Sequence, residues 1–153
     1  MDLILWRHAE AEDEREDLAD LERALTGRGE KQAARMAAWL DARLPEGARI
    51  LCSPALRCQQ TAWALGRAFS VLEPLQPGAT TADLLQAAQW PQAAQPVVIV
   101  GHQPVVGEAV AQLLRIEGGQ CAVRKGAVWW LRGRERDGAA QVLLWAVQSP
   151  EML

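Results

Sequence analysis

The stretch VVIVGHQPVVGEAVAQLL, residues 97–114, decides the fold. Val97, Val98, Ile99 and Val100 form an unbroken apolar run, the pattern of a strand buried on both faces within a parallel sheet. An amphipathic helical pattern follows almost at once over 105–116, with Gly118-Gly119 to end it. A buried strand passing directly into a helix is half of a βαβ unit. Gly101 and His102 stand at the joint, so an imidazole is placed at the carboxyl end of the strand.

The same arrangement recurs upstream. LILW (3–6) runs into Arg7-His8, and RILC (49–52) runs into Ser53-Pro54, with Arg57 in the first turn of the helix that follows. Between them Thr26 reads as a helix N-cap. Ala33, Met36, Ala37, Leu40 and Leu44 recur at helical spacing, and Pro45 and Gly47 close the helix. A second helix is expected from Pro54 to about Phe69, with Cys58, Ala62, Leu65 and Phe69 on one face, and a third over 81–90, stopped by Pro91. At the other end GAVWWLR (126–132) and QVLLWAV (141–147), joined through GRERDGAA, read as a β-hairpin. Strands alternating with helices predict an α/β fold, a three-layer α/β/α sandwich. Its central sheet is mostly parallel, its C-terminal hairpin antiparallel, and residues 1–153 form a single domain.

Composition narrows the function classes. Half of the 153 residues are apolar and 23% are charged, the balance of a globular protein. No apolar run is long enough to span a bilayer, and the few residues before Arg7 are too short for a signal-peptide core. The expected location is therefore cytoplasmic, with no membrane partner. The arginines are scattered rather than clustered, which argues against a nucleic-acid partner. Cys52, Cys58 and Cys121 are odd in number and lack zinc-ligand spacing, so they read as packing residues, with a redox role for Cys52 or Cys58 as the alternative. The seven tryptophans read as core and helix–sheet packing. Residues 10–22 hold eight carboxylates against one arginine, either a solvated loop or a flap beside a cationic pocket.

Ligands of open α/β sheets bind beyond the carboxyl ends of the strands. Those ends carry Arg7-His8, then Ser53 with Arg57, then His102, the chain's only histidines among them. Two guanidiniums and two imidazoles suit a phosphoryl group. Guanidinium forks match its oxygens with paired hydrogen bonds, and the helix after Ser53 offers free N–H groups. A neutral imidazole is a competent nucleophile towards phosphorus. A second one, when protonated, stabilises charge on the oxygens. Arginines supply the positive charge, so no metal or other cofactor is called for.

These residues carry a family resemblance. LILWRHAEAE resembles the Arg-His-Gly signature of the histidine phosphatase (phosphoglycerate mutase-like) superfamily. ALTGRGEKQAARMAAWL is similar to its Leu-Thr-x-x-Gly segment, ILCSPALRCQQTA to its Ser-Pro-x-x-Arg-x-x-Gln-Thr block, and VVIVGHQPVVGEAVAQLL to its second-histidine block. Order and spacing agree over about residues 1–116, and the absence of long insertions resembles the SixA-type phosphohistidine phosphatase branch. The resemblance implies a phosphoric hydrolase in which His8 is phosphorylated, Arg7 and Arg57 grip the oxygens, and His102 completes the pocket; Ser53, at the end of its strand, is a further candidate to bind the phosphoryl group. Two departures stand out. Ala9 replaces the usual Gly, excluding a backbone conformation that only glycine tolerates. The insertion that supplies an acidic proton donor in larger members is missing, which leaves Asp83 and Glu73 between Arg57 and His102, or Glu10 and Glu12 after His8. A labile phosphohistidine has less need of such a donor than an ester. The implied partner is a phosphorylated protein, either a histidine-containing phosphotransfer domain or a phosphocarrier; a small phosphorylated metabolite, or a non-catalytic phosphate-binding role, is the alternative.

Overall fold

Alternate residues of the buried strands face two separate cores, and this organises the molecule. The computed structural model describes residues 1–153. Its parallel strands are β1 (Asp2–Arg7), β2 (Arg49–Cys52), β3 (Ser70–Val71) and β4 (Val97–Gly101). Strands β5 (Val128–Arg136) and β6 (Ala139–Gln148) form an antiparallel hairpin, and the sheet order is β3-β2-β4-β1-β5-β6. Ile4, Trp6, Ile50, Cys52, Val98 and Val100 point to one face, where they meet α1 (Gly27–Asp41) and α2 (Leu56–Trp63). Leu3, Leu5, Leu51, Val97 and Ile99 point to the other, against α3 (Thr81–Ala87) and α4 (Val105–Leu114). The three-layer sandwich with its C-terminal hairpin is thus as expected.

Several boundaries differ from the sequence reading, each for a local reason. Helix α2 stops at Trp63 rather than near Phe69, and Gly66 follows in the left-handed region at φ 71°. The chain freed by that early stop supplies β3, a two-residue edge strand too short to leave a periodic signature. Helix α4 ends on Arg115 at φ 56°, ahead of the glycine pair. The hairpin strands extend to a two-residue Asp137-Gly138 turn at φ 53° and 78°, the positive pair that a tight type I′ connection requires. Trp6 and Trp130 are core residues, but Trp63 and Trp145 are more than half exposed, so the tryptophans are not uniformly packing residues. No helix is long and apolar enough to cross a membrane.

Candidate active site

Strand register brings the site together. Arg7 on β1 pairs with Gly101 on β4, and Cys52 on β2 pairs with Val100, so the three strands end almost level. The next residues are His8, Ser53 and His102, with β4 in the middle. The chain past β1 stays anchored, since His8 N donates to Gly101 O at 3.0 Å and Gly126 N donates to His8 O at 3.0 Å. The imidazoles of His8 and His102 then meet edge to face, with ring centres 5.4 Å apart. They open on a cavity of about 320 Å³ whose lining includes Arg7, His8, Arg57 and His102. A larger cavity of about 770 Å³ lies between the end of α4 and the hairpin tip, but it holds no histidine or cysteine.

Hydrogen bonds decide how each ring can react. His8 Nδ1 lies 2.7 Å from the Ala9 carbonyl, which only accepts, so Nδ1 carries the proton and the lone pair is on Nε2. Burial pushes the His8 imidazole down to about 3, against the opposing bond to Ala9; His102, Arg57 and Arg7 push the same way as burial. His102 is lowered to about 4, chiefly by burial and then by Arg57. Both rings are therefore neutral in the empty site at neutral pH. His102 Nδ1 faces an Arg57 N–H at 3.4 Å, so the His102 proton sits on Nε2, 2.7 Å from Ser53 Oγ.

Both arginines are held by backbone carbonyls. Arg7 donates from Nη1 to Val123 O at 2.8 Å. Arg57, only 3% exposed, donates to the Asp20 carbonyl at 2.8 Å and to its carboxylate at 3.1 Å. The Nε–H groups of both arginines are buried without any partner. A buried N–H left unsatisfied costs about 1–3 kcal/mol.

The other sequence candidates fall elsewhere. Ser53 is fully buried and does not line the cavity; it bonds His102 and so acts on any guest only through that ring. Glu10 lies outside the lining, because its carboxylate accepts from Thr26 Oγ1 at 2.7 Å and lies 3.9 Å from Arg28. Glu12 is exposed on a loop tied down by its backbone bond to Ala24. Asp83 is spent on the capping box at the start of α3, and Glu73 sits in a short 3-10 turn; neither lines the cavity. The carboxylates that do are Asp13, Glu14 and Asp20, joined by Arg23, Gln103 and Lys125. All three come from the acidic stretch 10–22, so that stretch is a wall of the cavity. Its charge density was the signal that pointed here. Cys52 and Cys58 are buried packing residues whose thiols burial pushes upward, Cys58 to about 12.

The family model of the histidine phosphatase superfamily (branch 1) matches residues 3–84. The chain belongs to that superfamily. It is a hydrolase of the phosphatase type. A Haemophilus influenzae relative named phosphohistidine phosphatase SixA homolog is 32% identical over 129 residues, covering 74% of this chain and 77% of that one. Among solved structures, the protein histidine phosphatase SixA complexed with tungstate is 26% identical, with a TM-score of 0.77 over 99% of both chains. A Nakamurella multipartitia protein classed with SixA is 26% identical, with a TM-score of 0.80 over 97% of this chain and 95% of that one.

The superfamily motifs acquire physical reasons in this fold. Thr26 caps α1 by accepting from Gly29 N at 2.9 Å. A side chain at Gly29 would collide with the Glu10 carbonyl, so the glycine lets the His8 loop lie against the helix. Gln60 accepts from Leu25 N, and Thr61 accepts from Ala9 N at 3.1 Å while donating to Arg57 O at 2.8 Å. These bonds fasten the loops after β1 to α2. Ala9 is outside the left-handed region and its methyl packs with Leu25 and Ala33, so alanine fits where the superfamily usually has glycine.

Asp20 supplies a testable point. Burial pushes its carboxyl up, but the bonds from Arg23 and Arg57 outweigh this and hold it below its ordinary value. Asp20→Ala should lower kcat by about tenfold, a loss near 1.4 kcal/mol, because Arg57 loses its brace. Inhibition by inorganic phosphate should strengthen in the same variant, since one negative charge leaves the cavity. Steady-state kinetics with a phosphate titration checks both.

Proposed function

We propose that the protein hydrolyses phosphohistidine in a protein substrate, through a phospho-His8 intermediate. The carrying observation is that His8 is neutral and keeps Nε2 free, in a cavity lined by Arg7 and Arg57. The tungstate complex of SixA supports this reading, since tungstate is a tetrahedral oxyanion like phosphate.

The His8 Nε2 lone pair attacks phosphorus and forms the new N–P bond. The P–N bond of the substrate breaks, its electron pair stays on the departing imidazole, and solvent protonates that ring. Water then attacks phospho-His8, the N–P bond breaks, and phosphate leaves a neutral His8. Arg7 and Arg57 hold the equatorial oxygens throughout, and positioning with charge stabilisation provides most of the catalysis. His102 starts neutral; a phosphoryl dianion beside it favours its protonated form, which then shares the developing charge.

The leaving group separates this reading from a phosphomonoesterase. An alkoxide needs a positioned acid, typically worth 10²–10⁴-fold. Asp20 is braced by two arginines and kept ionised, so it is a poor proton donor. A phosphoramidate manages without one. In parallel assays a phosphohistidine protein should exceed sugar and nucleotide monophosphates in kcat/KM by at least about 10²-fold. The reverse order would overturn the assignment, and phosphate binding without any turnover would make the protein a non-catalytic module.

A further inference from the structure

We propose that the acidic segment 10–22 is a docking surface for a cationic protein face, so that the partner is a protein whose phosphohistidine is flanked by lysine or arginine. This inference rests on the phosphohistidine reading above and adds the chemistry of the surface around the phosphorylated residue.

The segment is folded against the cavity mouth. Ala11 bridges Leu25, Glu12 N donates to Ala24 O at 2.8 Å, and a 3-10 turn at Asp20–Glu22 presses on Arg57. Three of its carboxylates are already engaged: Glu10 by Thr26 and Arg28, Asp17 by Arg15, and Asp20 by Arg23 and Arg57. The other five, Glu12, Asp13, Glu14, Glu16 and Glu22, are exposed and make no ion pair within the chain. Asp13 and Glu14 line the catalytic cavity itself. Arg23, already paired with Asp20, and Lys125 are the cations beside them, so the acidic charge of the mouth is concentrated on the wall that this segment forms.

The floor of the cavity asks for the opposite charge. Arg57, with 4% of its side chain exposed, lines it together with Arg7. A guest must therefore bring an anion to the bottom and tolerate a wall of carboxylates on one side. A free polyanionic metabolite meets repulsion at that wall. A phosphohistidine between lysines or arginines satisfies both zones. Complementary fields of this kind raise association rates by about 10–10³-fold and decay with salt.

The test uses two phosphohistidine peptides of equal length, one with lysines on both sides of the phosphorylated residue and one with glutamates. At low ionic strength the intact protein should favour the lysine peptide by about tenfold or more in kcat/KM. The ratio should fall towards one at about 1 M salt, where the screening length is near 3 Å. It should also fall severalfold in the Asp13→Asn/Glu14→Gln/Glu16→Gln variant, whose substitutions keep side-chain size on an exposed loop. A ratio of one or less, or a ratio indifferent to salt and to these substitutions, overturns the docking surface. Hydrolysis of neither peptide overturns the phosphohistidine reading itself, a result distinct from hydrolysis of both at equal rates.

Discussion

His8→Ala should lose at least about 10⁴-fold in turnover of phosphohistidine substrate, with no acid-labile phosphoenzyme accumulating, because the proposed covalent route ends with its nucleophile. Removing the ring deletes the only imidazole lone pair that is left free in the cavity. His102 does not substitute for it: its Nδ1 faces the Arg57 guanidinium at 3.4 Å and its Nε2 is given to Ser53 at 2.7 Å. His8→Asn is the companion variant, since it keeps a polar group near the Ala9 carbonyl and so separates loss of chemistry from loss of fold. The pH dependence has a definite sign. His8 must be neutral to attack, and burial has pushed its ring down to about 3, well below the ordinary 6.5. The value of kcat/KM, which reports the free enzyme, should therefore be insensitive to protonation of His8 from pH ~8 down to pH ~5 and fall only as pH approaches the lowered value. A rate that declines with a midpoint near the ordinary histidine value would show that the attacking ring is not the buried one. Retention of wild-type hydrolysis in His8→Ala would dispose of the covalent route.

That such a test can be framed on the sequence reflects how sheets fix geometry. Runs such as Val97–Val100 and Leu3–Trp6 are apolar enough to demand burial on both faces, which puts them in the middle of a parallel sheet. Once β1, β2 and β4 are parallel and level, the residue after each is forced into one crevice, which is why His8 and His102 could be paired from the string alone. The carboxylates resisted that logic. Glu10 looks like a proton donor because it stands two residues from His8, yet the backbone turns there, and Thr26 and Arg28 take its oxygens. Asp20 is twelve positions from His8 but reaches Arg57 through a 3-10 turn with no periodic signature. Ser53 shows the same limit in another form. Its place beside the histidines was legible, but only the direction of its hydroxyl reveals that it serves His102 rather than the guest. The Asp137-Gly138 pair, by contrast, was a readable hairpin turn, and attention to it would have set the strand ends correctly.

Arg57→Ala and Arg57→Met should each lose about 10²–10³-fold in kcat/KM, the usual cost of deleting one preorganised donor to a developing oxyanion. The methionine variant refills the space around a side chain that is only 3% exposed, so agreement between the two excludes a collapsed cavity as the cause. Arg57→Lys should fall nearly as far, because a single ammonium cannot keep the bonds to Asp20 and also present the planar fork of a guanidinium to a phosphoryl group. The size of the loss has a second source. With Arg57 gone, Asp20 keeps its bond from Arg23 but loses the guanidinium that neutralises it inside the cavity, and a bare carboxylate then faces an incoming dianion. The Arg57→Met/Asp20→Ala double variant should therefore recover part of the activity that Arg57→Met loses, a coupling of opposite sign to simple addition of the two defects. Strict additivity would mean that Asp20 acts independently of Arg57, and the brace inferred from their contact would have no energetic content.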